Sequence, residues 1–101
     1  MRYNHHYDNG CLVIKLEGEM DHCSTENLRR EIDGLIDKFR PALLMLDYQQ
    51  INFMDSAGIG FILGRYKRMK SYDGMVEIKN ARNSIQRILK MACIDQLMHV
   101  G

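Results

Sequence analysis

Ser56 sits in the stretch Met54-Asp55-Ser56-Ala57-Gly58-Ile59-Gly60, between an apolar run and a helical pattern. A hydroxyl at such a strand-to-helix turn can attack a substrate, cap the helix or accept a phosphate, and its neighbours decide among these. The nucleophile pattern G-x-S-x-G needs glycine where this chain has Met54. It also needs a histidine to take the proton. The histidines are His5 and His6 in the first strand, His22 in a loop and His99 near the last residue, and only His22 falls on the edge that carries Ser56. Gly58-Ile59-Gly60 followed by Gly64 is neither G-x-G-x-x-G nor a phosphate loop ending in G-K-[ST]. Cys11, Cys23 and Cys93 are widely spaced, and with His22 they give no C-x-x-C or H-x-x-x-H spacing. No metal and no cofactor are therefore expected, and the thiols are read as reduced.

Two readings of Ser56 remain. The plain one is a helix start, with Asp55 or Ser56 accepting N–H bonds from the first turn. The sharper one is phosphorylation: a helix N-terminus offers free N–H donors and a positive dipole end, so the fold tolerates a phosphate there. Ala57 and Gly58 are small and leave room for an approaching enzyme. Asp47, after Leu43-Leu44-Met45-Leu46, is placed as in response-regulator receivers. The acidic pair ending the first strand and the lysine ending the last are missing, so Asp47 is read as a strand-end residue bonding loop amides.

The elements that position these residues follow from local patterns. Asn9-Gly10 between Arg2–Tyr7 and Cys11–Leu16 is a hairpin signal, because a type I′ turn needs positive φ at both central positions. The second of these strands ends by Gly18. Leu28, Ile32, Leu35, Ile36 and Phe39 share one helical face, with Ser24 or Thr25 as N-cap and Pro41 beyond the end. Ala42–Leu46 reads as a strand covered on both faces. The second helix starts near Asp55, with Ile59, Ile62, Leu63, Tyr66 and Met69 as its apolar stripe and Arg65, Lys67, Arg68 and Lys70 off it. Gly60 and Gly64 share one side and are positioned for close approach to a neighbour. Tyr72-Asp73-Gly74 turns into the strand Met75–Lys79, Asn83 or Ser84 caps a helix bearing Ile85, Ile88, Leu89 and Ala92, and Gln96–Val100 adds a short strand.

The order β-β-α-β-α-β-α-β implies one α/β domain over 1–101: a mixed, mostly parallel sheet of about four to five strands with three or four helices. Loops leaving the C-terminal ends of the parallel strands gather along one edge. They are Gly18–Cys23, Asp47–Asp55 and Asn80–Asn83, so Asp21 and Ser56 share that edge. With 14 Lys and Arg against 13 Asp and Glu, the net charge of +1 gives no bulk pull toward nucleic acid or an anionic membrane. The opening MRYNHHYDNG has no apolar signal region, which makes the cytoplasm the expected compartment.

Three motifs in order carry a resemblance: Gly18-Glu19-Met20-Asp21 is similar to G-E-L-D after a second strand, Leu44–Asp47 to a central strand, and Phe53–Gly60 to F-M-D-S-[SA]-G-[LI]-G. Over essentially its whole length the chain resembles the STAS domains, and among them the anti-sigma F factor antagonists of spore-forming bacteria. That resemblance implies a non-enzymatic partner switch. The unphosphorylated form binds an anti-sigma factor, which is also an ATP-using serine kinase, and so frees the sigma factor. Phosphorylation of the serine matching Ser56 releases the complex, and a separate metal-dependent, PP2C-like serine phosphatase resets it. Asp21, Met54, Asp55, Ser56, Ala57, Gly58 and Phe61 are the implied partner-binding residues. Ala57 stands where a second serine is commoner, leaving a single acceptor. Phe61 lies off its helix stripe, and core and contact are both open for it. Another STAS role, as an interaction or ligand-sensing module in a different signalling complex, is the alternative.

Overall fold

The computed structural model describes residues 1–101. Asn9 and Gly10 take φ of 54° and 80°, so the two-residue turn has both residues in the left-handed region, and it joins β1 (Arg2–Asp8) to β2 (Cys11–Met20) as an antiparallel pair. The chain continues through α1 (His22–Phe39), β3 (Leu43–Met54), α2 (Ser56–Lys70), β4 (Met75–Lys79) and α3 (Asn83–Met91) to a 3₁₀ turn (Ile94–Gln96) and β5 (His99–Val100). Strands lie in the order β1-β2-β3-β4-β5, and every pair after the hairpin is parallel. No helix is long and apolar enough to cross a membrane.

A sheet whose parallel strands follow sequence order, joined by crossovers of one hand, puts its helices on one face. Burial confirms this. The cross-strand rows Leu12–Leu44–Val76 and Ile14–Leu46–Ile78 are buried and join one core with Leu28, Ile32 and Ile36 of α1, Phe61, Ile62 and Met69 of α2, and Ile85 and Leu89 of α3. The reverse face stays open: Cys11, Val13, Leu43 and Met45 are half-buried and Met75 is exposed. The expected two-sided cover of Ala42–Leu46 is thus corrected. Its unbroken apolar run reflects an outer face that is itself apolar.

Two strands are longer than their patterns imply. β2 passes Gly18, which takes φ of 121°, and reaches Met20. β3 runs past Asp47 to Met54 because two bulges break its alternation: the register steps from Lys15–Asp47 to Glu17–Gln50, and from Gly18–Ile51 to Glu19–Phe53. Each step inserts one extra β3 residue, so buried positions change from every second residue (Leu44, Leu46, Tyr48) to every third (Ile51, Met54). Asp47 is therefore mid-strand and buried. Its Oδ1 accepts from the Gln49 amide at 3.1 Å and from Asn80 Nδ2 at 3.2 Å, tying the first bulge to the β4–α3 loop.

α2 is rotated from its expected stripe. Gly58, Phe61, Ile62, Arg65 and Met69 face inward, while Ile59, Leu63 and Tyr66 are half-buried at the margin. Arg65 is buried because α1 supplies Asp33, with Nε–Oδ1 at 2.8 Å and Nη2 donating to Oδ2 at 3.3 Å. The guanidinium also lies 5.0 Å from the Phe61 ring centroid. Burial pulls the Arg65 pKa below its ordinary value, and Asp33 opposes that shift. Next along α2, Arg68 holds Asp37 of α1 through Nη2 and Oδ2 at 2.6 Å. Gly60 is exposed, Gly64 is half-buried, and a Cβ on either would meet nothing within 4 Å, so the glycine that permits close approach is Gly58 instead. α3 starts after Arg82 with no side-chain cap, neither Asn83 nor Ser84 filling that place.

Candidate functional site

Met20 and Met54 are register partners at the ends of β2 and β3, both buried. One residue separates each strand from its helix: Asp21 before α1 and Asp55 before α2. The Asp55 amide donates to the Met20 carbonyl at 3.2 Å, so the two junctions lie side by side at about the 4.8 Å spacing of neighbouring strands. The broad edge loops expected at Gly18–Cys23 and Asp47–Asp55 contract to these two aspartates.

Both aspartates are N-caps in extended conformation, and this replaces Ser24 or Thr25 as the cap of α1. Asp21 Oδ1 accepts from the Ser24 amide at 2.8 Å, and Ser24 Oγ accepts from the Asp21 amide at 3.1 Å, forming a reciprocal capping box. The Ser24 hydroxyl donates to the Glu19 carbonyl at 2.6 Å, and Thr25 Oγ1 donates to the Asp21 carbonyl at 3.0 Å. The Ser24 amide, followed by its hydroxyl, holds the Asp21 carboxyl below its ordinary 3.8.

At α2, Asp55 Oδ1 accepts from the Ala57 amide at 2.8 Å. The third helical residue is Gly58, so no reciprocal bond forms. A Cβ there would collide with Met54 Cγ and come within 3.3 Å of Met20 Cβ. Gly58 thus lets the Met54 side chain lie across the helix start. Ser56, the first residue of α2, is exposed, and no hydrogen bond engages its hydroxyl.

The anticipated contact residues divide by burial. Ser56 is exposed, and Asp21, Asp55 and Ala57 are half-buried. Met54, at 4% exposure, and Phe61, at 0%, belong to the core, and Gly58 is buried beside them. The expectation of a partly exposed contact at Met54 is corrected, and the open question over Phe61 resolves to packing. Met54 faces α2 because the second bulge turns Phe53 outward in its place. Phe53 is 47% exposed, and it is absent from the implied partner-binding residues although it opens the motif that contains them. The signal was the three-residue spacing from Ile51 to Met54, which strands Phe53 on the far side.

The chemistry open to this edge is narrow. His22 is exposed at the first position of α1 and makes no bond to Ser56, so no proton acceptor is set for the hydroxyl. Shallow depressions lie along Asn27, Arg30 and Glu31 and beside Lys15 and Gln50, away from Ser56. No three His, Cys, Asp or Glu side chains converge on a common point. A sheet covered by helices on one face, with an exposed serine hydroxyl directly after the Asp55 cap, defines a class of small α/β domain whose distinctive edge is its pair of one-residue strand-to-helix junctions.

Comparison with known proteins agrees with that class. The STAS domain model matches residues 4–101. The anti-sigma F factor antagonist of Paenibacillus polymyxa is 31% identical over 90% of this chain and 78% of that protein. Two solved structures share the fold: SpoIIAA in its unphosphorylated form, with TM-score 0.77 and 22% identity over 99% of this chain and 87% of that one, and the Bacillus cell fate determinant SpoIIAA in its phosphorylated form, with TM-score 0.76 and 23% identity over 99% and 91%. The chain belongs to the STAS domain family.

Proposed function

We propose that the chain is an anti-sigma factor antagonist working as a phosphoswitch. Unphosphorylated, it binds an anti-sigma factor that is also an ATP-using serine kinase and so frees the sigma factor. Phosphorylated on Ser56, it lets go, and a PP2C-like phosphatase restores it. The domain is substrate and ligand in this cycle. Asp21, Asp55, Ser56 and Ala57 meet the partner, with Met54 and Gly58 shaping the edge from beneath.

The observation that carries this reading is the state of the hydroxyls. Ser24 and Thr25 are tied into α1, whereas Ser56 is exposed and unbonded one helix away. The 31%-identical relative, an anti-sigma F factor antagonist, supports the partner class. Phosphate adds roughly −1.5 to −2 charges at neutral pH. It would stand beside Asp21 and Asp55, where losing water at an interface without a cation costs several kcal/mol. Each 1.4 kcal/mol is about tenfold in affinity, so release by about 100-fold needs no refolding. That SpoIIAA matches this fold almost equally in both of its forms supports a switch at the surface.

The test is incubation with ATP and the anti-sigma factor from the same genome, followed by mass spectrometry. Phosphate on Ser56 is expected, with the modified protein released. Phosphate on Ser24, Thr25 or Ser71, or stable binding after Ser56 is modified, would refute the proposal.

A further inference from the structure

We infer that Phe53 is an apolar anchor of the docking edge, and that the partner surface it enters is cationic around an apolar recess. This deepens the phosphoswitch reading and rests on it. Phe53 pairs in register with Glu19, and both turn to the face opposite the buried Met20–Met54 pair. β4 ends opposite Asp47, so this part of β3 has β2 as its only strand neighbour. A large aromatic is therefore displayed on a two-stranded extension, two residues before the Asp55 cap. Of the other exposed large apolar side chains, Tyr7 in β1, Met75 at the start of β4, Met91 at the end of α3 and Leu97 after the 3₁₀ turn lie elsewhere, and Met1, which precedes the Arg2–Glu17 pair, adds to the apolar surface at this end. Buried aromatics with desolvated surroundings supply much of the energy of protein interfaces.

Charge identifies the occupant. Residues 17–26 and 50–60, which build this end of the molecule, contain Glu17, Glu19, Asp21, Glu26 and Asp55 and no lysine or arginine. Arg2 reaches in to pair with Glu17 at 2.7 Å, and no other side-chain cation pairs with these carboxylates, the Met1 ammonium adding one positive charge felt by Asp21. The cations of α2, Arg65, Lys67, Arg68 and Lys70, collect toward its opposite end. A net charge of +1 thus conceals an acidic docking end. Such a field favours a basic partner, speeds encounter with it and weakens with salt.

The test measures binding of the unphosphorylated chain to the anti-sigma factor of the same genome, from 50 to 500 mM salt. Phe53→Ser should weaken binding tenfold or more while leaving the thermal midpoint within about two degrees, and Phe53→Leu should keep most of the affinity. Phe53→Gln repeats the measurement should the serine variant fold poorly. Met91→Ser, which alters a side chain 80% exposed far from this end, should bind like wild type. Glu19→Gln together with Glu26→Gln should flatten the salt dependence. If Phe53→Ser and Phe53→Gln bind like wild type while Ser56→Asp is weakened, the anchor falls and the phosphoswitch stands. Equal binding by wild type and Ser56→Asp, or none by either, removes the phosphoswitch reading and the anchor with it.

Discussion

The two helix starts are built on one plan and finished differently. Each follows a buried methionine at a strand end, and each is capped by an aspartate that forms the whole strand-to-helix junction. In α1 the third helical residue is Ser24, and it closes the capping box. In α2 it is Gly58, because Met54 occupies the space a side chain would need. The first start therefore has its hydroxyls engaged in the fold and the second leaves one at liberty. Cap chemistry decides which serine stays available, and the need for glycine under Met54 decides which cap remains incomplete.

The comparison breaks most visibly if the acceptor is exchanged. Ser56→Ala should abolish phosphate incorporation by the kinase, while Ser24→Ala leaves it intact, as mass spectrometry will read. Ser56→Asp should lose about tenfold or more in partner affinity by titration calorimetry. Its midpoint should stay within a few degrees, because charge at an exposed helix N-terminus is worth only about 0.3–1 kcal/mol. Widespread amide-resonance shifts far from Asp21 and Asp55 on phosphorylation would instead make the switch conformational.

Gly58→Ser sharpens the contrast from the packing side. It offers α2 the capping box that α1 has, yet the Cβ must displace Met54, so denaturant unfolding should show a loss of about 1–3 kcal/mol rather than a gain. The smallest effect concerns acid. The Asp21 carboxyl is held low in the folded chain, so its stabilising contribution is complete above the unfolded pKa near 3.8. That contribution drains as pH falls through the lower folded value. Asp21→Asn should accordingly flatten the dependence of stability on pH below about 4, as melting curves at successive pH values can show.

How far the sequence revealed this depends on whether each cause is local. The Asn9-Gly10 turn, the apolar face of α1 and the position of Ser56 at a helix start each follow from a few adjacent residues. The second half of β3 does not, because two bulges erase the alternation that marks a strand, and with it the outward orientation of Phe53. Arg65 was assigned to solvent because the Asp33 that permits its burial lies on another helix. Asp21 is expected on the correct edge, but local pattern offers Ser24 or Thr25 as the cap of α1, and Ser24 is the other half of the box that Asp21 closes. Gly60 and Gly64 looked suited to tight packing, but only the fold reveals that Met54 lies over Gly58.

The one-residue junction at Asp55 also bears on what an enzyme can recognise. Ser56 has no loop on which to swing out, so the proposed kinase and phosphatase would have to accept it on a shelf formed by two strands and two helices. Recognition is then of a three-dimensional epitope, and a linear peptide spanning Asn52–Arg65 should be a far poorer substrate than the whole chain, with kcat/KM as the measure. Equal turnover of the two would contradict this. On the proposed phosphoswitch, the modification would then report on folded copies alone, and a misfolded or nascent chain would pass through the signalling circuit unseen.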